Sequence, residues 1–307
     1  MKFFNMVNCE QCNSHQFKLI KISANLQYNK CKTCGIEKIN LQNGISLKAY
    51  FEEQQEHFYG QSPELTPLQK FCENDEANYH IKKLKKYLKK NPKVLEIGPG
   101  NGTFASKLIE LGYETSLVDQ SPETLKRLNK KFQCNLILGE FESQVKDGET
   151  YDAIFSFHVI EHIADFQQQI KTAYEKLVPN GLFIVATPNT SSFHHRLPWR
   201  LSPHYDYAHL TLFNKHNLKY ELEDTGFVIE QVYTPEFSIY WPRVITKILR
   251  KFLRKNEADT AGHYIGNSNR LVINFFYLYA ICSLPLRALQ GHLGFGSELF
   301  NIAKKKI

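Results

Sequence analysis

The sequence predicts an α/β fold: an open, mostly parallel sheet with helices on both faces, preceded by a small metal-held module. From about residue 76 to 234, short β-type apolar runs alternate with amphipathic helical patterns, the rhythm of βαβ units. The first of these runs, KVLEIG, enters a glycine-rich turn that opens a helix. Ahead of it stand Cys9-x-x-Cys12 and Cys31-x-x-Cys34, at the spacing of a four-thiolate zinc site.

The elements follow in order. YHIKKLKKYLKK places Ile81, Leu84 and Leu88 on one helical stripe with lysines opposite, and Asn91-Pro92 stops it. After KVLEIG come the helix TFASKLIELG and the strand TSLVD. Ser121 caps the next helix, PETLKRLNKKF, with Pro122 at its first position. NLILGE and YDAIFSF read as strands, DFQQQIKTAYEKL as a helix. Pro179-Asn180-Gly181 turns the chain into the strand LFIVATP. KHNLKYELEDTG is a further helix, FVIEQVYT a strand, and SELFNIA closes the chain as a last strand. The expected organisation is a zinc-ribbon-like module over 1–45, a connector with one short helix over 46–75, and the main domain over 76–307 with a basic, apolar helical insert at 235–294.

Composition narrows the class. The chain is 307 residues long, 42% apolar by residue and carries a formal charge of +7, so it is globular and basic. That charge is compatible with phosphorylated substrates, nucleic acid or an anionic membrane and chooses none of them. The start, MKFFNMVNCEQC, has no apolar core and no small-residue cleavage site, so no secretory signal is expected. Seven cysteines without such a signal point to a reducing, cytoplasmic setting in which thiols serve as ligands or core residues. Cys72, Cys134 and Cys282 sit in no motif, and Cys134 reads as core.

Glycine-rich turns are common to many nucleotide sites, and three details sharpen this one. In VLEIGPGNG, Gly98, Gly100 and Gly102 allow close backbone approach to a ligand. The dinucleotide pattern G-x-G-x-x-G fails at its sixth position, which is Thr103. Glu96 precedes the turn, which suits a cationic or zwitterionic ligand better than a pyrophosphate. Asp119 ends the second strand, where an acid accepts hydrogen bonds from ribose hydroxyls; its other reading is as part of the helix cap at Ser121.

The segment Glu96-Ile97-Gly98-Pro99-Gly100-Asn101-Gly102 resembles the first motif of class I S-adenosylmethionine (SAM)-dependent methyltransferases. Asp119, Leu138-Gly139-Glu140-Phe141, YDAIFSFHVIEHIAD and LVPNGLFIVATPN match later motifs in the same order. HLTLFN, followed by a helix and Asp-Thr-Gly-Phe, is similar to the branch with ubiquinone-pathway O-methyltransferases and polysaccharide-cluster methyltransferases. The resemblance implies a Rossmann-like sheet of seven strands, the last antiparallel. It implies SAM as cofactor, held by Glu96, Gly98, Gly100, Gly102, Asp119, Gln120, Glu140, Phe141 and Phe157. In that branch the pair corresponding to Glu161-His162 is associated with a divalent metal, an association not expected in this chain because His158 stands nearby where an acid would help.

A hydroxyl nucleophile benefits from a base, and His158, Glu161, His162 and His209 are the candidates. His194, His195 and His204 fall in SSFHHRLPWRLSPHYDYAH, a stretch read as a substrate lid. No Asn/Asp-Pro-Pro-aromatic tetrad follows the fourth strand, where Ser156-Phe157-His158-Val159 stands instead, which disfavours nucleobase amines as acceptors. The expected acceptor is an oxygen of a sugar, a lipid-linked glycan or a comparable small molecule. The rival reading is an RNA methyltransferase that uses the zinc module to hold RNA.

Two features stand outside the fold motif. Cys9, Cys12, Cys31 and Cys34 fill four positions with thiolates, so the zinc site is closed and structural. In the insert, RVITKILRKFLRK (243–255) is a basic amphipathic helix and LVINFFYLYAICSLPL (271–286) is apolar on nearly all sides, but too short to span a bilayer. Peripheral contact of 243–286 with the inner face of a membrane, or packing onto the domain, are the two readings.

Overall fold

The computed structural model describes residues 8–23, 26–40, 65–146, 148–197, 201–252 and 270–306. Most of the 46–75 connector and residues 253–255 of the basic helix lie outside the described residues. The chain divides into two compact units that cut across the sequence ranges. One takes the N-terminal residues up to Cys72, Pro188–Asn217 and Tyr233–Leu299; the other takes Glu73–Thr187, Leu218–Val232 and the C-terminal residues from Phe300.

The second unit is built on a seven-stranded sheet. Its strands are β4 (Lys93–Ile97), β5 (Glu114–Asp119), β6 (Asn135–Leu138), β7 (Tyr151–Phe157), β8 (Leu177–Pro188), β10 (Phe227–Tyr233) and β11 (Glu298–Lys305). They lie in the order β10-β11-β8-β7-β4-β5-β6, with the last strand antiparallel, so the Rossmann-like expectation holds. β4 pairs in parallel with both β5 and β7, through Val94 to Thr115 and Val94 to Ala153. The strand order therefore reverses at β4, and the crevice at the carboxyl ends of β4 and β7 is where an open α/β sheet binds its ligand.

The flanking helices form where the sequence supplies caps and apolar stripes. α2 (Thr103–Glu110) buries Phe104, Ala105 and Leu108. α3 (Pro122–Asn129) begins at Ser121, whose Oγ accepts the Thr124 amide at 3.1 Å, and buries Leu125 and Leu128. In α5 (Phe166–Lys176), Asp165 accepts the Gln168 amide at 3.0 Å. Within β8, Tyr151 pairs with Leu177 but Ala153 pairs with Leu182, so the Pro-Asn-Gly turn bulges out of the strand, with Asn180 at φ +62°.

One helix departs from expectation. α1 spans Pro67–Leu84, starting inside the connector and ending short of Leu88. Beyond Leu84 the sequence supplies lysines at 85, 86, 89 and 90 and no further buried position. Lys82 and Lys86 would stand one turn apart, a like-charge pair that disfavours helix. Burial and these two neighbours already lower the Lys83 pKa.

The first unit holds a four-stranded sheet, β1 (Phe17–Lys21), β2 (Gln27–Cys31), β3 (Glu37–Ile39) and β9 (Thr211–Leu212), in that order. The fourth strand comes from HLTLFN: Glu37 pairs with Leu212 and Lys38 with Thr211, antiparallel. Tyr28, Ile39, Tyr205, Leu210 and Leu212 form its core. The helices of the insert are α8 (Tyr240–Phe252), α9 (Arg270–Cys282) and α10 (Leu284–His292). The apolar run thus breaks at Ser283, and no helix among the described residues is long and apolar enough to cross a membrane.

The structure does not support a lid over residues 191–209. His194 and His204 are buried, and the His195 side chain is 4% exposed. His195 Nε2 lies 3.2 Å from both oxygens of Glu37, its Nδ1 lies 3.0 Å from Ser202 Oγ, and Tyr205 donates to Glu37 at 3.0 Å. Burial would raise the Glu37 pKa, but His195 and Lys30 hold it down at about 2. His194 sits 3.4 Å from Glu236, and burial lowers the histidine pKa to about 4 and raises that of the glutamate to about 8.

Candidate cofactor and catalytic site

At the end of β4 the chain must turn without side chains. Gly98 has φ +63°, and a Cβ there would stand 2.6 Å from the Val159 side chain. Gly102 has φ +77°, and its Cβ would meet Leu128 at 2.6 Å and Phe132 at 2.8 Å. Gly100, between them, faces open space. Gly102→Ala is expected to cost about 1–2 kcal/mol for the left-handed backbone alone, lowering Tm by about 2–3 °C. Thermal unfolding with and without SAM measures this; an unchanged Tm would contradict the packing described.

The turn is held from a neighbouring helix by a residue that motif reading missed. Glu73 on α1 accepts hydrogen bonds from Asn101 Nδ2 (2.8 Å) and Thr103 Oγ1 (2.5 Å). From the other side, Arg127 donates to Gly100 O at 2.9 Å. The only sequence signal for Glu73 is its spacing of three from Glu76 on a helix, which puts both acids on one face.

Glu96 is 4% exposed, and one of its carboxylate oxygens has no hydrogen-bond partner. Burial alone pushes its pKa up to about 8. A buried carboxylate with an unpartnered oxygen beside a glycine turn is stabilised by a cationic or hydrogen-bond-donating ligand. Asp119, at the end of β5, is raised by burial, against the pull of the Ser121 amide and Arg127. Its Oδ1 accepts the Ser121 amide at 2.8 Å, so it does assist the cap, while the cap of α3 itself is Ser121 Oγ. Gly139 donates to Asp119 O at 2.9 Å, which brings the end of β6 alongside. Gln120 and Glu140 are exposed at these strand ends, whereas the Phe141 ring is buried. Phe157 is half-buried and packs against His80 at 4.5 Å and Phe104 at 4.7 Å.

Past β7 the backbone turns sharply at His158, whose φ is +54°. Its amide donates to Ala186 O at 2.8 Å, fixing the backbone there. Nε2 lies 3.2 Å from Glu76, and Nδ1 lies 3.4 Å from Glu161. Glu161 is fully buried and accepts Thr187 Oγ1 at 2.9 Å; His162 stands 4.0 Å from it. His158, Glu161 and His162 therefore come together, with Glu76 as an addition the motifs did not reveal. His209 belongs to the first unit, where its Nδ1 is 2.7 Å from His204 O.

In the first unit the four cysteines gather as expected. One sulfur from each lies within 4.8 Å of the others, with Cys9 to Cys34 at 3.6 Å and Cys12 to Cys31 at 3.5 Å. A tetrahedral zinc with Zn–S bonds of about 2.3 Å requires sulfurs about 3.8 Å apart, so the cluster fits that ion. Burial opposes ionisation of Cys31, yet the amides of Cys34 and Thr33 bring its pKa down to about 6. Gly35, at φ +78°, lets the knuckle close where a Cβ would meet Asn214 at 2.9 Å.

The fold is that of the class I SAM-dependent methyltransferase domains. The family described as "Methyltransferase domain" matches residues 73–232, more than half of the chain, and the chain belongs to that family. It is 29% identical over 101 residues to the ubiquinone biosynthesis O-methyltransferase of Methylobacterium sp. (strain 4-46), covering 31% of this chain and 41% of that one. The mitochondrial ubiquinone biosynthesis O-methyltransferase of Bos taurus is 26% identical over 169 residues, covering 48% and 45%. The chain thus spans less than half the length of these two curated relatives. The solved structure of the cyclase SpnF aligns with a TM-score of 0.50 at 13% identity, over 76% of this chain and 81% of that one. That likeness is one of fold alone, and the chemistry has to be argued from the site.

When bound, SAM supplies an activated methyl group. The residues that fit it are Glu96 and the glycine turn for its charged end and Asp119 for its ribose. In such a transfer the protein's own work would be to align the acceptor with the methyl and exclude water.

Proposed function

We propose that the chain methylates an oxygen of a sugar, a lipid-linked glycan or a comparable small molecule, in a reducing compartment where zinc keeps the cysteine module closed. The observation that carries this reading is His158, positioned where β7 ends and flanked by Glu76 and Glu161. An acceptor hydroxyl that takes the place of Glu76 at Nε2 gives its proton to that nitrogen as the methyl arrives, and Glu161 at Nδ1 stabilises the imidazolium that forms. The ubiquinone enzymes among its relatives are O-methyltransferases by name, which supports an oxygen acceptor.

The test is transfer of labelled methyl from SAM to panels of glycans, lipid-linked sugars, phenols and RNA. His158→Gln is expected to lower kcat about 100- to 10,000-fold on the accepted substrate while leaving SAM affinity in place. Labelling of RNA with the glycan, lipid-linked and phenol panels inert would replace this reading with the RNA enzyme. A His158→Gln variant with wild-type kcat would remove His158 as the base.

A further inference from the structure

The insert in the first unit presents a surface unlike the rest of the molecule. α9 is apolar on two opposite faces, and only one is covered. Its inner face packs through Phe276 and Tyr277, whose rings lie 6.1 and 4.8 Å from that of Phe71. Its outer face carries Leu271, Phe275, Leu278 and Ile281, all more than half exposed, Leu271 at 77%. These positions fall along one stripe of the helix.

α10 is turned inside out. The residues it buries are Arg287 and Gln290. The Arg287 guanidinium donates to Glu236 O at 2.9 Å and Ala280 O at 2.8 Å, and Gln290 donates to the Glu236 carboxylate at 2.8 Å. The residues it leaves outside are Leu284, Leu286 and Leu289, with Leu293 just beyond its end, each more than half exposed. A helix that faces water normally shows the opposite polarity. Eight large apolar side chains on two consecutive helices make a patch that marks a partner surface.

Charge selects the partner. Between residues 240 and 293 the sequence carries eight arginines and lysines against two acids, and of these cations Arg287 is buried. α8, α9 and α10 contain no aspartate or glutamate at all. On α8, Ile245 and Leu249 are exposed apolar residues in a helix whose only charges are positive. Symmetric pairing with a second copy would bring two segments of the same net positive charge together. An anionic bilayer meets both requirements, accepting the leucines among its acyl chains and the cations at its headgroups.

We propose that α9 and α10, with the basic α8, dock the protein on an anionic lipid surface without crossing it. The experiment is co-sedimentation of the full-length, zinc-loaded protein with vesicles of phosphatidylcholine alone or mixed with phosphatidylglycerol. The protein is expected to pellet with the mixed vesicles and to be released by salt in part only, because apolar contacts persist. A variant combining Phe275→Ser, Leu278→Ser, Leu286→Ser and Leu289→Ser is expected to partition at least about tenfold more weakly. Those side chains are exposed, so its SAM affinity serves as the control for folding. Wild-type protein that stays in solution with both vesicles, or a variant that pellets like wild type, would overturn the proposal. So would a wild-type dimer, seen by sedimentation velocity, that ignores vesicles and dissociates in the variant.

Discussion

Asp119→Ala is expected to raise the dissociation constant for SAM about 100-fold or more in a calorimetric titration. The carboxylate stands at the carboxyl end of β5, 8% exposed. Each charge-assisted hydrogen bond it would make to a ribose hydroxyl contributes about 1.5–3 kcal/mol. Losing two such bonds exceeds any gain from relieving its burial. Asp119→Asn separates the contributions, since an amide oxygen still accepts the Ser121 amide at the Asp119 Oδ1 position while the charge is gone. An intermediate affinity for Asn is the expected order. Unchanged affinity for both variants would mean that the ribose lies elsewhere. Titration with the demethylated product should follow the same order, and NAD should not bind.

Cys31→Ser is expected to release the zinc and to lower stability by more than Gly102→Ala or Asp119→Ala does. Structural zinc contributes about 10–16 kcal/mol of apparent binding energy in small zinc domains, and that energy is folding energy. Cys31 ends β2 and Cys34 closes the knuckle, so losing one ligand opens both. The effect should not stop at the cysteines. β3 pairs with β9, and Glu37 holds His195 and Tyr205. Hydrogen exchange is therefore expected to quicken at Thr211 and Leu212 and around residues 195–205, as well as in the module. Metal analysis showing about one zinc per chain in wild type, and exchange confined to residues 9–39 in the variant, would keep the zinc and refute the coupling.

Local chemistry made much of this molecule readable. Ser121-Pro122 announces α3, the alternation from 93 to 188 announces the sheet, and two C-x-x-C pairs announce the four-cysteine cluster, because each of these signals acts within a few residues. The site was legible where a backbone demands glycine, at Gly98 and Gly102, and where an acid ends a strand, at Asp119. Its other half depends on long-range placement. Glu73 and Glu76 look like two more solvated acids on a polar helix until the helix is laid beside the turn and His158. Glu37 and His195 are 158 residues apart, and no spacing rule connects them. The histidines of residues 191–209 resembled a mobile cover because their carboxylate partners, Glu37 and Glu236, come from other parts of the sequence.

The pairing of β3 with β9 also sets an order of events during synthesis. The first forty residues leave the ribosome early, but the strand that completes their sheet follows roughly 170 residues later. At about 5–20 residues per second that interval is on the order of 10–35 seconds. Throughout it, β3 is an open edge, able to pair with the wrong chain. Early capture of zinc would keep the nascent ribbon folded through that wait, which makes metal supply a determinant of yield as much as of final stability.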